Sequence, residues 1–135
     1  MVILFDQYNL PDDIFEIIFS TKQQVIVAKL LIEHLKKNGR EIGKTEMGMF
    51  AKKLHEGEHI TQIDEPEYRG KKVKVSYNKR QFYDRILTPM KSMGMIEYDL
   101  YKKTYRIAEK FNKNMMRLGL MWLQEIRKPP YKYES

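Results

Sequence analysis

The sequence predicts a mainly α fold with a small β component, and three observations predict it. Apolar residues recur at helical spacing in several separate stretches. Strand-like alternation is confined to two short segments, "KVKVSY" and "MIEYDLYKKTYRIA". The 135 residues, 42% hydrophobic and 32% charged, suit one globular domain with its own core.

Taken in order, "LPDDIFEIIF" places Pro11 and two acids in the first turn of a short helix near 11–19. Thr21 and Gln24 then have capping-box spacing ahead of "VIVAKLLIEHLKKNG". Val25, Ala28, Leu31, Ile32 and Leu35 follow one helical face, and Val27 and Leu30 widen it, so this helix is largely buried. Asn38-Gly39 ends it, with Lys36 and Lys37 placed favourably against the negative end. The next helix begins at "KTEMGMFAKKL", with Thr45 as N-cap and Met47, Phe50, Ala51 and Leu54 facing inward. Gly57 stops it.

Residues 57–77 form a long polar connection in which "YRGKK" reads as a basic turn and "KVKVSY" as a short strand. A third helix runs from about Asn78 to Met93, capped by Ser76 or Asn78, with Phe82, Ile86, Met90 and Met93 inward. Pro89 removes its hydrogen bond to residue 85 and bends it. Two strands follow around a turn at Leu100–Lys103, because Ile96, Tyr98, Tyr105 and Ile107 alternate with polar residues. The last helix spans about Ala108 to Lys128, where "KPPY" ends it.

The order helix, helix, helix, hairpin, together with "ILTPMKSMGMIEYDLYKKTYRI", resembles the winged helix-turn-helix domains of transcriptional regulators. Met90, Met93, Gly94, Met95 and Ile96 match the hydrophobic-x-x-Gly-hydrophobic-hydrophobic turn that leads into the family's wing, and Tyr105 and Ile107 match the returning strand. The resemblance implies a winged-helix core over 22–108, preceded by an extension over 1–21 and followed by a C-terminal helix and tail over 109–135. The connection 57–77 departs from the family, whose corresponding turn is a few residues; it is either an inserted basic hairpin or an irregular loop.

Charge points the same way. The net charge is +7 with a pI near 9.5, which favours polyanionic partners. Residues 1–20 carry −4 and 59–68 carry −3, whereas 69–91 alone carry +7. The resemblance implies a transcription-regulating protein that reads double-stranded DNA with the amino-terminal end of the third helix. There Lys79, Arg80, Gln81, Asp84 and Arg85 lie outside the apolar stripe, and Arg, Lys and Gln are side chains that bond base edges. Ser76, Tyr77 and Asn78 are then placed to bond phosphate near the helix start. Lys102 and Lys103 stand at the wing tip, and Arg69, Lys71, Lys72 and Lys74 add backbone contacts from the insertion. The competing interpretation is a solvated helix face, which is what most charge runs are. A further alternative is a winged-helix module for protein assembly, motivated by nine methionines and surplus apolar surface.

"HEGEH", residues 55–59, matches the H-E-x-x-H pattern of zinc proteases, but that chemistry needs a continuous helix and Gly57 interrupts it. The expectation is accordingly no enzyme activity, no metal and no cofactor. The last helix carries two apolar stripes: Phe111, Met115, Leu118, Trp122 and Ile126, and Met116, Leu120 and Leu123. One stripe suffices for a surface helix, so the second implies a homodimer interface, unless the apolar amino terminus covers it. No stretch approaches the roughly 20 apolar residues that span a bilayer, so no membrane partner is expected. Absent cysteine and an amino terminus unlike a signal peptide predict a cytoplasmic protein.

Overall fold

Side-chain caps decide where the first helices begin. In the computed structural model, which describes residues 6–62 and 72–132, α1 spans Ile14–Ile18. It starts later than Pro11 suggests because the Asp13 carboxylate accepts from the Phe15 amide at 2.9 Å and so fixes the N-cap there. Helix α2 (Lys22–Lys37) begins as the capping-box spacing requires, with Thr21 Oγ1 accepting from the Gln24 amide at 3.2 Å. Its Val25, Val27, Ala28, Leu31 and Leu35 are buried at the centre of the molecule. Gly39 and Arg40, with φ of 73° and 70°, then reverse the chain, and the Arg40 amide returns to the Leu35 carbonyl at 2.7 Å.

That reversal delivers β1 (Glu41–Gly43), a three-residue strand that no periodicity announced. Helix α3 (Lys44–His55) follows directly, and its start corrects the expected Thr45 cap. Gly43 occupies the N-cap position because it is the last residue of β1, and the Lys44 amide is taken by the Lys103 carbonyl at 2.9 Å. Strand pairing overrides side-chain capping at this helix end. The inward residues Met47, Phe50, Ala51 and Leu54 are those expected.

The connection after α3 contains an antiparallel ribbon: β2 (His59–Gln62) pairs with β3 (Lys72–Val75), setting His59 opposite Val75 and Gln62 opposite Lys72. Helix α4 (Lys79–Phe82), a wide π turn (Tyr83–Leu87) and α5 (Thr88–Ser92) then run consecutively. Pro89 has no N–H to offer Arg85, and the backbone widens before it so that the Thr88 amide reaches the Tyr83 carbonyl. The strain expected of Pro89 is absorbed as a π turn, and Leu87 joins Phe82, Ile86 and Met90 in the core.

Gly94, at φ 82°, turns the chain into β4 (Ile96–Asp99), which pairs antiparallel with β5 (Thr104–Ile107). Strand β1 pairs with the other edge of β5, so the sheet order is β1-β5-β4. A third strand gives the hairpin a stability that a lone pair lacks. The chain ends in α6 (Lys110–Arg127), which has no buried residue. The fold is mainly helical with a small antiparallel sheet. Among the described residues no helix is long and apolar enough to cross a membrane.

Candidate nucleic-acid interface

The head of α4 is held from three sides. The Asn78 side chain accepts from the Gln81 amide at 3.1 Å, which is the N-cap. The Lys79 amide donates to His55 Nδ1 at 3.1 Å, so the ring ending α3 satisfies the first N–H of α4. The Tyr77 amide donates to the Leu54 carbonyl at 3.0 Å, and the Gln23 side chain of α2 donates to the Ser76 carbonyl at 3.0 Å. The backbone entering α4 is therefore tied to α2 and α3 before any ligand is considered.

Around this fixed backbone Lys79, Arg80, Gln81, Asp84 and Arg85 are exposed, while Phe82 and Ile86 anchor the opposite side. Arg80 Nε lies 3.8 Å from the Asp84 carboxylate, a solvated i,i+4 pair whose attraction is weak. Asp84 is accordingly a partner of Arg80 as well as a candidate contact. Lys72 and Lys74 lie two residues apart on β3, both exposed, and the chain runs from them through Ser76 into the helix head. Ser76 and Asn78 are exposed. Tyr77 is a correction: its side chain is only 6% exposed and belongs to the core, so it is not open to phosphate. Its place between two exposed residues follows the period of two in extended chain. Arg69 and Lys71 lie outside the described residues.

The wing tip is built differently. Asp99 Oδ1 accepts from the amides of Tyr101 at 2.9 Å and Lys102 at 3.1 Å, and the Lys102 bond leads in holding this carboxyl below its ordinary value. Lys103 closes the turn at φ 54°. Lys102 and Lys103 are exposed, and beside them Tyr101 and Leu100 are 99% and 77% exposed. Lysines of the tip and of the α4 head are not neighbours. The tip bonds to the first residue of α3 and the head to its last, so their two anchor points are about 17 Å apart along that helix.

One further cation was missed by sequence reasoning. Lys91 of α5 sits 5.8 Å from the ring centres of both Tyr98 and Tyr105, joining the helix to the face of the hairpin. Its exposure on the same helix as Arg80 and Arg85 was a legible signal; the two tyrosine rings under it were not. Other cations are engaged by acids: Arg106 and Lys110 both bind Glu97, the latter at 3.2 Å, and Arg106 leads in keeping that carboxyl below its ordinary value.

The "HEGEH" histidines diverge. Gly57, at φ 69°, ends the helix after His55, whose ring turns to Lys79. His59 starts β2, where its Nε2 lies 3.2 Å from the Phe50 carbonyl and its ring 4.5 Å from the Phe50 ring. His34 meets the same ring from α2 at 5.2 Å. Burial is the main cause that lowers the pKa of His34 and of His59, and in His34 the neighbouring His59 adds to it.

In α6, Met116, Leu118, Leu120, Trp122, Leu123 and Ile126 are exposed, as is Met121, and Met115 is half-buried. Phe111 corrects its assignment to an interface between copies: it packs against its own core, with its amide bonded to the Gly94 carbonyl at 3.0 Å. The amino-terminal "MVILF" lies outside the described residues. No family model matches the chain, and no curated protein or solved structure matches it.

Proposed function

We propose that this protein binds duplex DNA as a winged-helix transcriptional regulator, with α4 and α5 in the major groove, β4 and β5 as the wing, and two copies acting together. The observation that carries this reading is the exposed set Lys79, Arg80, Gln81 and Arg85 at one end of a helix whose other face is core. A helix of about 10–12 Å diameter fits a groove about 12 Å wide, and its amino-terminal side chains then meet base edges. The caps at Asn78 and His55 hold that end in place without ligand, so little ordering is left for binding. The wing tip that carries Lys102 and Lys103, anchored about 17 Å from the head along α3, is placed to suit phosphates beyond the groove edge.

Lys79→Ala, Arg80→Ala and Arg85→Ala combined test it. Wild-type protein binds mixed duplex with affinity that falls steeply with salt, and the triple variant binds more weakly with a shallower dependence. The slope of log K against log salt drops by roughly 0.9 for each phosphate that the variant no longer neutralises. Undiminished affinity in the triple variant removes α4 as the reading element. A second reading, a winged-helix module that assembles with other proteins, is favoured by the exposed apolar side chains of α6. It predicts no measurable affinity for duplex at low salt.

A further inference from the structure

Lys91 stands over a group of side chains that its place in α5 does not explain. A cation in the last turn suits the negative end of that helix. Beneath it, however, Tyr98 of β4 and Tyr105 of β5 stand directly opposite each other, so both side chains leave the same face of the sheet. Their ring centres are 4.6 Å apart, and the Lys91 ammonium is 5.8 Å from each. Glu97 and Asp99 alternate with Tyr98 along β4 and so leave from the other face. Lys91 is exposed, and among the described residues no acid pairs with it, whereas Arg106 and Lys110 both bind Glu97.

Tyr105 shows where this group opens. It is only 8% exposed, yet among the described residues its hydroxyl has no hydrogen-bond partner. No buried side-chain oxygen there lacks a partner, so the hydroxyl is the part of Tyr105 that meets solvent. A side chain otherwise buried, with its one polar atom unbonded at the surface, is open to a ligand. Tyr83 reaches the same region from the π turn, its hydroxyl 4.0 Å from where a side chain on Gly48 of α3 would begin. Burial, and after it the phenols of Tyr83 and Tyr98, push the Tyr105 phenol above its ordinary value; burial does the same to Tyr83. Both therefore stay O–H donors at neutral pH.

One ammonium beside neutral O–H donors, with no carboxylate on the same face, is a donor set for an oxyanion of single charge. A phosphodiester has that charge, spread over two free oxygens. The phenols bond those oxygens without adding charge, and the rings shield the ammonium from water, which strengthens its attraction. We propose that Lys91, Tyr98 and Tyr105, with Tyr83 beside them, form a seat for one phosphodiester of the DNA backbone. The proposal rests on the reading of this protein as a DNA binder. The seat joins the helical run that carries the basic head to the hairpin read as the wing.

Two substitutions in the full chain test it, with equilibrium unfolding as a check that each variant folds. Lys91→Met keeps an unbranched stem over the rings and removes the charge; Tyr105→Phe removes only the hydroxyl. Duplex affinity is measured at several salt concentrations. Lys91→Met lowers the slope of log K against log salt by about 0.9, the value for one phosphate, and weakens binding about ten-fold. Tyr105→Phe weakens binding about three-fold with the slope unchanged, because a neutral donor releases no counterion. A lysine that only braces the fold would move the unfolding midpoint and neither of these quantities. Unchanged slope and affinity in Lys91→Met overturns the seat and leaves the DNA reading to the α4 triple variant. If the unmodified chain has no affinity for duplex at low salt, the DNA reading falls, and dimethyl phosphate decides the seat by itself. Tyr98 and Tyr105 ring signals that shift in its NMR titration, and do not shift in Lys91→Met, keep a phosphodiester seat whose source is another polymer or a lipid. No shift in the unmodified protein overturns it.

Discussion

Gly94 is where a single residue decides the most. Its φ of 82° belongs to the region glycine enters freely, and an added Cβ would come within 2.8 Å of the Lys110 side chain and 3.0 Å of the Phe111 amide nitrogen. Gly94→Ala therefore meets two penalties, a disfavoured backbone and a collision with the start of α6. The expected loss is about 2–4 kcal/mol, read as a lower denaturation midpoint with unchanged slope. His34 and His59 act through protonation instead. Their folded pKa values lie below the ordinary 6.5, so the unfolded chain takes up protons first as pH falls. Their contribution is fully present above 6.5, declines as pH falls through it, and is gone below the lowered folded values. Thermal melts should thus show stability falling as pH drops through about 6.5, and His59→Phe should flatten that slope. An equally steep profile in the variant would assign the effect elsewhere. Asp99 and Glu97, whose pKa values are lowered from 3.8 and 4.5, lose their contributions in a separate, more acid window.

At the scale of elements, caps hold the segments that matter most for the candidate site. Asn78→Ala removes the bond to the Gln81 amide and should cost about 1 kcal/mol, with His55 still holding the Lys79 amide. Equilibrium unfolding checks it, and an unchanged midpoint would mean that His55 and the Tyr77–Leu54 bond suffice to set the helix start. Asn78 and Thr21 were readable because a cap is a local event, written in residues three apart. Long apolar stripes, as in α2 and α3, were readable for a similar reason. Strands β1 and β2 were not, since three or four residues carry no periodicity and both exist by pairing, β1 with the distant β5 and β2 with the next strand, β3. The pairing of β1 with β5 also moved the N-cap of α3 from Thr45 to Gly43. In the candidate site the exposed cations of α4 followed from their place off the apolar stripe. The burial of Tyr77, the turn of His55 toward Lys79 and the position of Lys91 over two tyrosines depend on contacts between elements, which sequence spacing does not encode.

For the whole molecule, the longest run of exposed apolar residues lies on a different element from the basic head of α4. The basic head of α4 and the wing tip sit at opposite ends of α3, whereas α6, which follows β5, carries seven exposed large apolar residues; the wing tip carries two more, Leu100 and Tyr101. The proposed binding to DNA and the proposed pairing of copies can be tested separately, because the cations of the α4 head and the apolar residues of α6 are substituted independently. If two copies join through α6 and each presents one basic head, the dimer neutralises twice the phosphates that one chain does. Counterion release makes the slope of log K against log salt proportional to that number, about 0.9 per phosphate. Trp122→Ser removes a large exposed apolar side chain of α6 and touches no basic residue, so the affinity of one chain for one half of the site should be unchanged. Its slope should nevertheless fall to about half that of the unmodified protein, with a lower overall affinity because the second head no longer binds at high effective concentration. Fluorescence titration of a labelled duplex at several salt concentrations measures both quantities. A monomeric Trp122→Ser protein with the full slope would show that one chain neutralises all the phosphates. Separation of the two heads by α6 would then have no part in DNA binding.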